Sequence, residues 1–193
     1  MKFLFYFIVF FSFSCHVLAT SSLDNTLFAE FINGLDTRKA SFKQTKSIPE
    51  LDLSFVSEGS IFFQKGKGVV FKQIKPEPLI FTTTKENYCI QGEKHALSEL
   101  PHYEKVSKLF DLILSEKWEI IEDNFNLEYS QNKTTWHIEM TPTNSDIAKF
   151  VQNIAFTGTQ SDLTKIEINY TNDTKIILDL KPVQKDITDE INC

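Results

Sequence analysis

Clustered cations are missing from this chain: acidic residues outnumber Lys and Arg by 26 to 20, for a formal net charge of −6. With no basic stripe to neutralise a phosphate backbone, nucleic acid is excluded as a partner. Catalytic motifs are missing as well. There is no Gly-x-Ser-x-Gly elbow, no His-Glu-x-x-His, no phosphate loop and no spaced pair of cysteines. Cys89, His95 and His102 lie close in sequence, but a Cys-His nucleophile needs both partners within reach and a third, orienting group. The alternative reading, exposed loop histidines, accounts for them with less. His95, His102 and His137 have no ligand-like spacing. The expectation is a protein that is not an enzyme and holds neither cofactor nor metal. Linkers, charge blocks and low-complexity tracts are absent too, which leaves one domain.

Long hydrophobic runs are scarce. The only one, residues 3–11, is too short to span a membrane. It follows Lys2 and precedes Val17-Leu18-Ala19, whose small final residue suits a leader peptidase, so residues 1–19 read as a secretory signal peptide and 20–193 as the mature domain. A rival reading lipidates Cys15 and tethers the chain to a membrane, although Ser12-Phe13-Ser14 lacks the leucine wanted three places upstream. Two cysteines outlast cleavage. An oxidising compartment permits Cys89 and Cys193 to pair; otherwise they are a half-buried strand cysteine and a loose terminal one.

Phenylalanine, by contrast, is plentiful at 18 residues, six of them in the leader. The mature domain therefore has apolar bulk to bury or to offer a ligand. Its pattern begins as a helix: Leu23, Leu27, Phe28, Phe31, Ile32 and Leu35 recur on one face, with Gly34 and Asp36 at the end. The period then changes to two. Residues 42–44, 51–64 with a kink at Gly59, 69–74, 79–84 and 88–90 read as strands, the second and third joined through Gly66-Lys67-Gly68. A second helix starts near Pro101 with a stripe of Val106, Leu109, Phe110, Ile113 and Leu114, and ends near Lys117. Strands resume at 118–121, 127–130 and 134–141, where Trp136, Ile138 and Met140 face one way and Thr135, His137 and Glu139 the other. A helical turn at 145–150 precedes strands at 151–157, 163–170 and 174–180. Some ten antiparallel strands twist and curl, and one apolar face needs a cover. Either two helices fill the concavity, or they plug a hollow that accepts something apolar.

At Ala40-Ser41-Phe42-Lys43-Gln44, at Gly59-Ser60-Ile61-Phe62-Phe63, over 69–76 and at Trp136-His137-Ile138-Glu139-Met140-Thr141-Pro142, the chain resembles the periplasmic outer-membrane lipoprotein carrier family, the LolA type. The likeness continues through 147–158 and 163–180. It implies an α+β fold, mainly β: one curved antiparallel sheet forming an unclosed half-barrel, covered by two or three helices. It further implies a monomeric periplasmic carrier. Such a carrier shields the acyl chains of a lipoprotein, collects it from an inner-membrane lipoprotein-releasing transporter and delivers it to an outer-membrane receptor. The alternatives within the fold are a membrane-anchored receptor, lipidated at Cys15, and a glycolipid or fatty-acyl binding protein.

By the same resemblance, Ile32 and Val69 match cavity-lining positions. Phe71 shares the parity of Val69, and Ile61 and Phe63 share a face of their strand. Leu109 and Ile113 are the lining expected from the second helix, and ordinary core is the alternative for every one of these residues. Lys65 shares the face of Ile61 and Phe63 where the family holds an arginine that ties the lid. A lysine lacks the bidentate fork, so a latch there is weaker, and a solvated turn lysine is the alternative. Between residues 88 and 100 little of the family's pattern is left, and Phe71 stands where a tryptophan is common. The cargo is therefore open.

Overall fold

The computed structural model describes residues 37–64, 66–84, 86–96, 118–160, 162–183 and 191. The expected leader with Cys15, the first helix with Ile32, the rim residue Lys65, the second helix with Leu109 and Ile113, and Cys193 all lie outside them.

Eleven strands make one antiparallel sheet: β1 (Thr37–Ile48), β2 (Leu53–Gln64), β3 (Gly68–Lys75), β4 (Leu79–Thr83), β5 (Asn87–Ile90), β6 (Glu93–Ala96), β7 (Phe125–Gln131), β8 (Thr135–Pro142), β9 (Val151–Thr159), β10 (Asp162–Tyr170) and β11 (Lys175–Pro182). The order across the sheet is β6-β5-β4-β3-β2-β1-β11-β10-β9-β8-β7, and β6 and β7 do not pair, so the sheet is unclosed. Two meanders meet where β1 pairs with β11, Phe42 opposite Leu180 and Gln44 opposite Leu178. The chain leaves β6 at one edge and re-enters at β7 on the other.

Alternation explains most of these strands. In β8, Trp136, Ile138 and Met140 are 0%, 3% and 1% exposed, as the period-two pattern predicts. The indole of Trp136 donates to the Gln160 carbonyl at 2.9 Å, which satisfies its buried N–H. Between β2 and β3 the turn needs left-handed backbone at Gly66 (φ 72°). At Gly68 a side chain is excluded for another reason, since a Cβ would stand 1.9 Å from the Thr83 carbonyl oxygen.

Three expectations change. Residues 118–121 are not a strand but the start of helix α1 (Trp118–Asn124). Trp118 and Ile120 fit an alternating period, whereas positions 118, 121 and 125 fit a helical one, and the deeply buried Ile121 and Phe125 show which period won. The strand expected from residue 51 begins at Leu53, because Pro49–Leu51 forms a 3-10 turn and Asp52 takes left-handed backbone (φ 51°). Strand β6 was not foreseen, since Glu93-Lys94-His95-Ala96 is too polar and short to read as a strand; it forms by pairing with β5. The helical turn expected at 145–150 is α2 (Ser145–Ala148), capped by the Asn144 side chain, which accepts from the Asp146 N–H at 2.9 Å.

The core lies on one face of the sheet. Phe42, Phe63, Val69, Ile138, Met140, Ile154, Phe156, Ile166, Ile168, Leu178 and Leu180 form one cluster with Trp136, and the described helices add only Ile121 and Ile147. The other face is largely polar: Lys165 and Lys175 flank Glu167 at 3.2 Å and 2.9 Å, and Asn169 donates to Asn153 at 2.6 Å. Its exception is the cross-strand row Phe62, Val70, Thr82 and Cys89. Of these, Phe62, Thr82 and Cys89 are buried.

Candidate functional site

The apolar face is not uniform, and its gradient defines the candidate site. On the β8–β11 half, Trp136, Ile138, Met140, Ile154, Ile166 and Leu178 are all nearly inaccessible. On the β2–β5 half, Ile61, Phe71 and Phe81 are half-buried. Further out on that same face, Leu53 and Phe55 of β2 and Ile90 of β5 are exposed at 46%, 52% and 38%. One apolar surface thus runs from packed core to solvent.

Four expected lining residues come together here. Ile61 pairs with Phe71 and Phe63 with Val69, all on the core face. Phe81 and Thr83 continue the two rows into β4. Phe42 of β1 stacks on Phe71 of β3, ring centroids 4.3 Å apart and planes at 22°. The two rings meet across β2 because Gly59, the residue opposite Phe42, has no side chain to separate them. The kink expected at Gly59 is a register shift against β3. A Cβ there would lie 2.0 Å from the Lys72 carbonyl oxygen, so the close approach of β3 admits only glycine.

Charge enters this face at its margins. Arg38 shares the parity of Ala40 and Phe42, sits opposite Phe63 and pairs with Asp162 of β10 at 3.5 Å. Sequence reading passed over it because the strand's pattern was taken up only from residue 40. Lys46 is on the same face at the other end of β1, opposite Phe55 and Ile176. Between them, Gln44 pairs with Ser57. Ser57 is 6% exposed, and its hydroxyl oxygen has no hydrogen-bond partner.

Of the residues weighed for nucleophilic chemistry, Cys89 and His95 are not brought together. Cys89 is disulfide-bonded, its partner lying outside the described residues, so it offers no thiolate. Cys89 pairs with Lys94, whereas His95 pairs with Tyr88. The alternation puts the cysteine and the histidine on opposite faces. His95 stacks on Tyr88 with centroids 4.9 Å apart, and His137 meets the Thr157 hydroxyl at 3.0 Å on the polar face. His102 lies outside the described residues.

Comparison with known proteins follows this geometry. Residues 85–176 match the family model described as outer membrane lipoprotein carrier protein LolA-like. No curated protein matches the chain. Among solved structures, a LolA superfamily protein from Nitrosomonas europaea is 8% identical, with 84% of this chain and 94% of that chain covered and a TM-score of 0.44. The MucA/MucB complex of Pseudomonas aeruginosa gives 9% identity, 88% and 60% coverage and a TM-score of 0.45. LprF from Mycobacterium bovis gives 10%, 86% and 95%, and 0.39. In its unclosed eleven-stranded sheet and over the matched segment 85–176, this chain is similar to the outer membrane lipoprotein carrier proteins of the LolA-like type.

Proposed function

We propose that the protein is a non-catalytic lipid carrier of the extracytoplasmic space, which covers the acyl chains of a lipoprotein or related lipid with the apolar face of its sheet. The observation that carries this reading is the gradient on that face, from Trp136 and Met140 in the packed half to half-buried Ile61 and Phe71 and exposed Phe55. A surface that is neither wholly core nor wholly solvated can exchange one apolar cover for another at small cost. Each methylene taken from water contributes about 0.8 kcal/mol, so one acyl chain is enough to compete for such a surface.

The connection from β6 to β7 joins opposite edges, and it arrives through α1, whose Ile121 is packed into the core cluster. The Arg38–Asp162 pair sits at the margin of this face beside the strand that leads to Lys65.

The leader and the disulfide at Cys89 support an oxidising compartment, and the periplasm is the compartment we propose. Handover from an inner-membrane transporter to an outer-membrane receptor is the finer role. Extraction of the purified protein with organic solvent, together with titration of a neutral fluorescent acyl probe, tests the reading. Co-purified lipid and saturable binding are expected. An apolar face that takes up neither would be ordinary core, and the carrier reading would be wrong.

A further inference from the structure

We infer that the apolar face ends in an oxyanion subsite, formed by Gln44, Lys46 and Ser57, which takes the anionic head of a single-chain acyl lipid. The inference rests on the lipid-binding reading and specifies its ligand. Along the core face of β2 the order is Phe63, Ile61, Gly59, Ser57, Phe55, Leu53. Ser57 is 6% exposed, while its apolar neighbours Phe55 and Leu53 are 52% and 46% exposed. The strand buries its hydroxyl and exposes its hydrocarbon, the reverse of what solvation favours. The Ser57 hydroxyl also has no partner, a destabilising state for a buried polar group.

Two further donors stand beside it. Gln44 is directly opposite Ser57, and Lys46 is the next residue of β1 on the same face, opposite Phe55. Direct cross-strand neighbours have Cβ atoms about 4.5–5.5 Å apart and diagonal ones about 7–8 Å, within the reach of a lysine. Both are half-buried. Neither side chain takes part in a hydrogen bond or ion pair among the described residues. The nearest acid along β2, Glu58, has the opposite parity and pairs with Lys75 at 3.2 Å.

A hydroxyl, a carboxamide and an ammonium converging without an acid ask for an acceptor that carries negative charge. Next to them begins the strip of Phe42, Phe71 and Ile61, which suits a hydrocarbon tail. A head of oxyanion chemistry on an acyl chain meets both needs. A carboxylate and a phosphate monoester share that chemistry, and the experiment separates them.

The test is displacement of a neutral fluorescent acyl probe from the mature full-length protein at pH 8 by laurate, methyl laurate or lauryl phosphate, in the wild type, Lys46→Met and Ser57→Ala. A charge-assisted hydrogen bond is worth roughly tenfold or more in affinity. Laurate or lauryl phosphate should therefore outcompete methyl laurate by about that factor in the wild type, the stronger of the two naming the head. The preference should fall to within about threefold in Lys46→Met. Ser57→Ala should weaken the anions and raise the ligand-free unfolding midpoint, because the unmet hydroxyl is gone. Equal displacement by acid and ester in the wild type, or a preference that survives in Lys46→Met, overturns the subsite while the probe still binds. If the probe itself fails to bind, the lipid reading falls first and the subsite with it.

Discussion

Gly158 faces the indole of Trp136 so closely that a Cβ at position 158 would stand 2.1 Å from two ring carbons. The two residues are cross-strand partners in β9 and β8, and the ring they accommodate is fully buried. Gly158→Ala must displace the indole, strain the strand or break the hydrogen bond to Gln160. We expect a loss of about 1–3 kcal/mol or more in urea unfolding, with a shift in tryptophan fluorescence. An unchanged midpoint would show that the ring has room the packing denies.

The Phe42–Phe71 stack ties the packed half of the face to its accessible half. Phe71→Ala removes a half-buried ring, so its cost should be about 1–3 kcal/mol, less than a fully buried aromatic loses. The same change should reduce acyl-probe capacity. Lost stability with undiminished capacity would assign Phe71 to the core alone.

Arg38 and Asp162 keep 37% and 43% of their side chains exposed. Pairs so accessible are worth at most about 1 kcal/mol. Arg38→Ala, and likewise Lys65→Ala, should leave the unfolding midpoint nearly unchanged while altering the rate of probe release in stopped flow. A large drop in stability for either would make that residue structural.

Glu167 is held below its ordinary pKa of 4.5, first by the hydrogen bond from Lys175, against the opposing effect of burial, and then by Lys165. A carboxylate whose folded pKa is lowered stabilises the fold above its unfolded pKa, and that contribution disappears as the pH falls through the folded value. Glu167→Gln should therefore cost up to about 1 kcal/mol at pH 7 and converge with the wild type in acid. A constant difference between the two from pH 7 down to pH 3 would contradict the linkage.

Peptide mapping without reduction should find Cys89 joined to Cys193 in the mature protein. Reduction should then lower stability by about 2–4 kcal/mol. A free thiol at Cys193 would require another partner for the bonded Cys89.

Much of the sheet was legible as sequence because a strand with one dry face writes itself as alternation. Trp136-His137-Ile138-Glu139-Met140 showed which side would be buried, and the structure agrees. The turn at Gly66-Lys67-Gly68 was legible for a similar reason, since few residues tolerate its backbone. Trp118–Asn124 was misread because a short apolar cluster fits two periods, and only the docking of Ile121 decides between them. For the site, Ile61, Phe63, Val69 and Phe71 could be grouped by parity. Arg38, Gln44, Lys46 and Ser57 could not, because a polar residue on a strand says nothing of its neighbours until the pairing is known.

Side-chain parity and turn chemistry are local, set by a few consecutive residues, and so most of the strands and their apolar face were already present in the linear chain. The pairing of β1 with β11, the contact of Phe42 with Phe71 over Gly59, and the isolation of the Ser57 hydroxyl depend on residues far apart in sequence. Those were decided by register, because a shift of one residue along any strand turns its whole apolar set to the opposite face.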